Sequence, residues 1–336
     1  MKFISNLVSK RFWLGLVCAL SCLAQAQNFD DAGLRLSPQE RERLQAILDK
    51  PVDPNSLFSS RTDIYRQKDL AAFKLGNAVR REEILREWSQ FDPMEGKWSL
   101  MSLLMGTEKR AEAYQLGQEL IQLQKWPPSA VRVRLQLANE YLNDSNLKET
   151  ARLLSEAETL LKGDVRNMPR RGDAVFWIAR AEVEYFIAKS RFNLRTGKWQ
   201  DGIESAKIAA DKAADLAKLM RMAPTENAKQ WSQATMLFAS IELGTQQMMA
   251  GLYADAEWTL RDTYAKSKEY GFTSASMAGF YNRVADYYNA VGLFDEGLKF
   301  ARMSESLQLD QGYQKGSPFW LFSRMRVNQS LVGANR

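Results

Sequence analysis

Carboxylates are the main groups in this sequence that could perform acid–base chemistry, because imidazole is absent and thiols are nearly so. The 336 residues include no histidine and two cysteines, Cys18 and Cys22, which lie in an uncharged, mostly apolar segment near the N-terminus. Beyond that segment the chain lacks the side chains for Ser-His-Asp and Cys-His nucleophilic sites, for thiolate or imidazole zinc sites and for disulfide bonds. Any catalytic chemistry would have to use carboxylates, lysine, serine or tyrosine.

Two groups of carboxylates could act as acid and base or cleave a glycan. Glu182 and Glu184 lie near Arg180 and Arg191, and Glu305 lies between two serines. Charge on a solvated helix surface explains both groups with fewer assumptions. The sequence has no Gly-rich phosphate loop and no Asp/Asn run at calcium-loop spacing. We therefore expect a protein that is not an enzyme, with no cofactor and no metal site.

The N-terminus has the pattern of an export signal. Lys2, Lys10 and Arg11 precede the apolar residues 12–24, and Ala24-Gln25-Ala26 has the small-x-small cleavage pattern. The sequence predicts a cleaved signal peptide over residues 1–26 and a periplasmic or secreted protein that begins at Gln27. An alternative is a lipoprotein that is anchored at Cys22, since residues 19–22 faintly resemble a lipoprotein box.

The charge of the chain depends on this signal. Residues 1–26 carry three cations and no anion, so 43 basic and 40 acidic side chains remain after cleavage. Such an even balance does not favour nucleic acid as a partner, and no later segment is apolar for the ~20 residues that span a bilayer. We expect neither nucleic-acid binding nor membrane insertion after cleavage.

Helical periodicity dominates the rest of the chain. Ser37-Pro38-Gln39-Glu40 has the residues of a helix start, and the prolines and serines of residues 51–62 are typical of a linker. From Asp63 onward apolar residues recur every three to four positions, and short breaks separate the helical segments. We predict an N-terminal helix and linker over 27–62, a helical repeat domain over 63–310 and a C-terminal capping helix within 311–336.

Four segments share one spacing around a turn residue. The turns are Ser145, Gly197, Gly251 and Gly292, which are 52, 54 and 41 residues apart. The most complete segment has Tyr281, Val284, Ala285, Tyr288, Gly292, Gly297, Ala301 and Ser304, and partial matches centre on Leu137-Ala138, Ser190 and Leu243-Gly244. This pattern resembles a tetratricopeptide repeat, although the period of that family is about 34 residues. The resemblance implies an all-α fold, a right-handed solenoid of antiparallel helical hairpins, with longer hairpins in the middle.

The same resemblance implies a concave groove that binds a protein or peptide partner. Amide and guanidinium groups at the groove positions could pair with a peptide backbone or a carboxylate. The groove positions that match the family are Asn139, Asn143, Arg191, Arg195, Thr245, Met248, Met249, Asn282, Arg283, Asp286 and Asn289. The tryptophans, including Trp88, Trp177 and Trp199, are predicted to pack between helices.

Three functions remain open on the sequence alone. The first is an exported, non-catalytic scaffold or adaptor for envelope assembly, secretion or surface-polymer export. The second is a periplasmic sensor or small-ligand module, which needs an enclosed apolar pocket between helices. The third is an envelope hydrolase, which needs a buried carboxylate pair in a cleft with one raised pKa.

Overall fold

The computed structural model describes residues 37–169, 173–220, 226–270, 272, 274–310 and 318–335. These ranges form fourteen α-helices and one π-helical turn at Leu161–Val165, without a β-strand among them, so the all-α prediction is confirmed. The helices are α1 (Pro38–Asp49), α2 (Phe58–Lys74), α3 (Ala78–Phe91), α4 (Glu95–Leu104), α5 (Arg110–Leu123), α6 (Pro127–Asn143), α7 (Leu147–Leu160), α8 (Asp173–Arg195), α9 (Trp199–Met220), α10 (Glu226–Met249), α11 (Tyr253–Glu269), α12 (Ser274–Ala290), α13 (Phe294–Asp310) and α14 (Pro318–Gly333). The predicted signal peptide, including Cys22, lies outside the described residues.

The predicted start of α1 is present, but the predicted linker is too long. Ser37 caps α1 by accepting a hydrogen bond from the Glu40 amide at 3.1 Å, and Pro38 occupies the first turn. Helix α2 begins at Phe58, inside the segment 51–62 that the serines had marked as a linker. Ring packing explains the difference, because Phe58 lies 4.8 Å from Phe91 and tertiary contact overrides the weak local propensity.

Adjacent helices pack against each other along the whole described chain. From α6 onward a second set of contacts joins alternate helices, namely α6 with α8, α8 with α10, α10 with α12 and α12 with α14. These even-numbered helices therefore form a continuous layer, and α7, α9, α11 and α13 each pack beside the helix that precedes them. Helices α8, α9 and α10 have 22 to 24 residues, whereas α12 and α13 have 17, so longer helices contribute to the wide spacing of the middle turns.

The turn residues have one shared backbone geometry. Ser145 has φ of 60°, and Gly197, Gly251 and Gly292 have φ of 77° to 80°. At each turn the next residue donates its amide to the carbonyl five residues earlier at 2.8 Å, as in the bond from Leu252 to Gln247. This is the Schellman cap, which ends a helix with one left-handed residue. Gly76 between α2 and α3 has the same geometry, which the sequence spacing did not reveal.

Buried residues, most of them small, recur at fixed distances after each turn, and the small ones allow close helix packing. The residues five, nine and twelve positions later are all buried. They are Thr150, Leu154 and Ala157 after the first turn, Gly202, Ala206 and Ala209 after the second, Ala256, Leu260 and Thr263 after the third, and Gly297, Ala301 and Ser304 after the fourth. Apolar clusters link consecutive pairs, so the core runs through the described chain from α1 to α14.

A substitution at Ser145 tests the shared turn geometry. A non-glycine residue in the left-handed region costs about 1 kcal/mol or more, and Ser145→Gly removes that cost. Glycine also has more conformational entropy in the unfolded chain, which offsets part of the gain. We therefore expect Ser145→Gly to stabilise the protein by about 0.5–1 kcal/mol. Gly251→Ala should destabilise by a similar amount, since nothing crowds its Cβ position and the positive φ alone opposes alanine. Urea unfolding measures both variants. Changes of the same sign would contradict the assignment of one cap type to both turns.

Candidate functional site

Three predicted groove residues of the last helix pair contact the chain's own terminal helix. Asn282 donates to the Ser323 hydroxyl at 3.2 Å, and the Ser330 hydroxyl donates to Asn289 Oδ1 at 2.9 Å. Asp286 accepts from Arg326 at 3.0 Å. Helix α14 therefore lies over these positions of α12. Arg283 is exposed and donates to Asp286 at 3.0 Å.

Arg191 is bonded to a buried carboxylate on the next even-numbered helix. Its Nε donates to Glu242 Oε2 at 2.8 Å, and the Glu242 side chain is 8% exposed. Gln246 donates to the second oxygen of Glu242 at 2.9 Å. This pair ties α8 to α10. Arg195, one turn further along α8, is exposed.

The remaining groove positions differ in their surroundings. Asn143 is exposed and donates to Glu140 at 3.5 Å, and Thr245 donates to the Ile241 carbonyl at 2.7 Å. Asn139 is half-buried. Met248 packs against an apolar cluster, while Met249 is 52% exposed. The nine polar residues that the sequence selected lie on α6, α8, α10 and α12, which are all helices of the even-numbered layer.

A stack of aromatic rings and guanidinium groups crosses four helices, and sequence reasoning missed it. We call Trp98, Arg132, Trp177, Arg180 and Trp231 the tryptophan–arginine ladder; they lie on α4, α6, α8, α8 and α10. The guanidinium carbon of Arg132 is 5.6 Å from the Trp98 ring and 5.4 Å from the Trp177 ring. That of Arg180 is 5.5 Å from the Trp177 ring and 4.5 Å from the Trp231 ring. All four distances fall within the ~6 Å range of cation–π attraction.

Glu184 holds the two arginines of the ladder in place. Its carboxylate accepts from Arg132 Nε at 2.8 Å and from Arg180 Nε at 2.7 Å. Burial lowers the pKa of Arg180, and the Glu184 charge opposes that effect. Arginine keeps its charge in such surroundings, so the ladder carries two fixed cations beside one carboxylate.

The register of the ladder gives a signal that the sequence could have shown. Trp177 lies 20 residues before the turn residue Gly197, and Trp231 lies 20 residues before Gly251. Both are in the extra N-terminal turns that make α8 and α10 longer than α12. Equal spacing from two turns therefore places two tryptophans at equivalent positions on neighbouring helices.

The tryptophans differ in environment, so the packing prediction is only partly correct. Trp88 is buried as predicted, and Trp177 packs in the ladder with Trp126 edge-on at 6.1 Å. Trp199 is 44% exposed on α9, and that prediction was wrong. Trp199 is the first residue of α9, two positions after the turn residue Gly197, and it is only partly covered there.

The candidate catalytic carboxylates all have cationic partners. Lys212 donates to Glu182 at 2.7 Å, Glu184 binds the ladder arginines, and Arg324 lies 3.6 Å from Glu305. Within the described ranges, no group of three or more Asp, Glu, Cys or His side chains could hold a metal ion. A surface depression at the N-terminal end is lined by α1 together with Leu75 and Asn77, and it is open to solvent.

Acid should weaken the fold through four paired carboxylates. Hydrogen bonds from Lys or Arg lower the pKa of each below 4.5, so its contribution to stability is present above that pH and lost as the pH falls through the folded-state pKa. The residues are Glu82, Glu112, Glu119 and Glu158. Each effect is small because these side chains are partly exposed.

Thermal unfolding followed by circular dichroism between pH about 6 and about 3 measures this loss. Arg86→Gln is the matched comparison, because Arg86 bonds both Glu82 and Glu112. The variant should lose less stability on acidification than the wild type. If Arg86→Gln lost as much stability on acidification as the wild type, or more, the bonds from Arg86 would not be the cause of the acid sensitivity.

Comparison with known proteins adds no family assignment. Neither protein-family models nor curated proteins give a match to this chain. In the part of the chain with described structure, no helix combines the length and the apolar character that a membrane crossing requires.

Proposed function

We propose that this chain is an exported, non-catalytic scaffold or adaptor with a tetratricopeptide-like fold, in which antiparallel helical hairpins stack into a right-handed solenoid. The in-register turns, the buried small residues after each turn and the layer of even-numbered helices support this architecture. Such an assembly has a preformed binding face, so most of the conformational entropy that is lost on binding is lost by the partner. Envelope assembly, secretion and surface-polymer export are settings in which an exported adaptor of this kind would act.

The tryptophan–arginine ladder is the observation that carries this proposal. Tryptophan and arginine are, with tyrosine, the residue types enriched at the energetic centres of protein interfaces. Trp231 is 44% exposed and Trp126 is 37% exposed at the ladder, and Phe238 on the same helix as Trp231 is 63% exposed. We place the partner-binding face on α6, α8 and α10 around these side chains.

The two other hypotheses have less support. A small-ligand module would use an enclosed apolar pocket, whereas the depression at α1 is open and includes charged residues in its lining. A hydrolase would use a carboxylate with a raised pKa, whereas each carboxyl group with a perturbed pKa among the described residues has a lowered one.

Site-specific photo-crosslinking in the native envelope tests the proposed face. A benzophenone amino acid replaces Phe238 on α10, and in a matched variant it replaces Trp258 on α11, which is 68% exposed. We expect a discrete protein adduct from position 238 that position 258 does not give. The same adducts from both positions would contradict the face assignment. No adduct at position 238, together with thermal stabilisation by a metabolite, would favour the small-ligand module.

Export is tested separately by determining the N-terminus of the mature protein. The proposal expects Gln27. An acylated Cys22 would show a lipid-anchored protein, and an uncleaved chain would contradict export.

A further inference from the structure

The ladder has more positive charge than its own carboxylate balances. Arg132 and Arg180 share Glu184, and each uses Nε for that bond. A guanidinium has five N–H donors, and the terminal amino groups of these two arginines bond to no other atom of the described chain. The Arg132 side chain is 20% exposed and the Arg180 side chain is 11% exposed. Two partly desolvated cations are thus available for an anion from outside.

The surroundings of these cations are aromatic and apolar. The Trp231 ring lies 4.5 Å from the Arg180 guanidinium carbon, and Trp126 packs edge-on against Trp177 at 6.1 Å. Both rings are partly exposed, and Phe238 adds further exposed apolar surface on α10. An anion that binds here would be attached to an apolar or aromatic group. Low local polarity also strengthens a charge-assisted hydrogen bond to guanidinium.

The excess of positive charge is local to the ladder. Arg132 and Arg180 share the single carboxylate of Glu184, whereas α6, α8 and α10 as a whole have seven basic and six acidic side chains. The local excess attracts an acidic partner over a basic or neutral one.

We propose that the tryptophan–arginine ladder binds an acidic internal segment of a partner protein, in which an Asp or Glu side chain lies next to aromatic or large aliphatic residues. The carboxylate takes the terminal amino groups of Arg132 and Arg180, and the neighbouring side chains cover Trp231 and Phe238. The inference rests on the proposed function and specifies the chemistry of the partner. A partner segment rather than a charged polymer fits the apolar surface that continues from Trp231 to Phe238, since alternating side chains of a peptide can supply both groups.

Glu184 is a positioning residue in this account. It orients both arginines but also competes with the incoming carboxylate for them. Glu184→Gln removes that competition and adds one net positive charge to the site. The variant should bind acidic segments more tightly, which general damage to the fold would not produce.

An array of random dodecapeptides with acetylated N-termini and amidated C-termini tests the proposal on the purified protein. The variants are the pair Arg132→Gln with Arg180→Gln, the single Glu184→Gln, and Arg195→Gln as the control on the same helix. Peptides whose binding falls about tenfold or more in the double variant should be enriched in Asp or Glu beside aromatic or aliphatic residues. The same peptides should bind Glu184→Gln more tightly and Arg195→Gln within about twofold of the wild type.

Several results would overturn the inference. These are ladder-dependent peptides without acidic enrichment, ladder-dependent binding of polygalacturonate without ladder-dependent peptides, and weaker acidic-peptide binding by Glu184→Gln. Circular dichroism of each variant shows whether it is folded, and the opposite directions expected for Glu184→Gln and the double variant keep the test decisive. A partner crosslinked at position 238 but lacking an acidic segment would leave the proposed function intact and reject this inference alone.

Discussion

Replacing Gly96 with alanine is expected to destabilise the protein by about 3 kcal/mol, the upper part of the usual range for overpacked sites. A Cβ atom at this position would lie 2.4 Å from the Ser89 amide nitrogen and 2.5 Å from the backbone carbonyl carbon of Trp88. These are backbone atoms of α3, so no side-chain rotation relieves the contact. Helix α4 would have to move away from α3 and from the buried Trp88 ring.

Gly279→Ala is the matched control for Gly96→Ala. Gly279 is an exposed residue within α12, and a Cβ atom there meets nothing within 4 Å. Alanine should stabilise the helix by about 0.5–1 kcal/mol through its higher propensity. Urea unfolding of both variants gives the free energies. Equal effects would contradict the close approach of α3 and α4.

Replacing Arg191 with alanine is expected to cost about 3 kcal/mol. Loss of one partner from a buried ion pair leaves the other charge without compensation, and Glu242 lies in the interior between α8 and α10. Arg191 itself is partly exposed, which places the effect at the lower end of the range for buried pairs.

A double-mutant cycle isolates this pair. Arg195→Ala, on the exposed surface of the same helix, should change stability by less than about 0.5 kcal/mol. Adding Glu242→Gln to Arg191→Ala should recover part of the loss, since it removes the uncompensated charge. If Arg191→Ala and Arg195→Ala have equal effects, Glu242 does not depend on Arg191.

This bond also changes how Arg191 can be used as a probe of function. The sequence marked both Arg191 and Arg283 as groove positions. In the structure Arg283 bonds its neighbour Asp286 on the surface, while Arg191 supports a buried carboxylate. A loss of partner binding in Arg191→Ala would therefore mix recognition with stability, and Trp231 on α10 is a cleaner probe.

The turns and the packing positions could be predicted because they depend on local requirements. A left-handed cap requires glycine or a tolerant residue, and a close helix contact requires a small side chain, so both appear at fixed spacings in the sequence. Ser145 illustrates this point, since its place in the spacing predicts a turn residue and its φ is positive in the structure.

The partners of the groove residues could not be predicted because they come from distant parts of the chain. Asn282 and Ser323 are 41 residues apart, and Arg132 and Glu184 are 52 apart. Nothing local distinguishes an asparagine that faces the terminal helix from one that faces solvent. The ladder is similar except for Trp177 and Trp231, whose equal spacing from their turns is visible in the sequence. Its other contacts form only after α4, α6, α8 and α10 have packed.

The central claim is that the partner binds across the ladder, and the affinity of the crosslinked partner for two tryptophan variants tests it most directly. Trp231 on α10 and Trp199 on α9 are both 44% exposed, so their truncation removes similar exposed surface from two neighbouring helices, of which only α10 has a ladder residue. The account predicts that Trp231→Ala weakens binding about 30-fold, corresponding to about 2 kcal/mol, while Trp199→Ala leaves the affinity within about twofold of the wild type. Equal affinities of the two variants for the partner would contradict it.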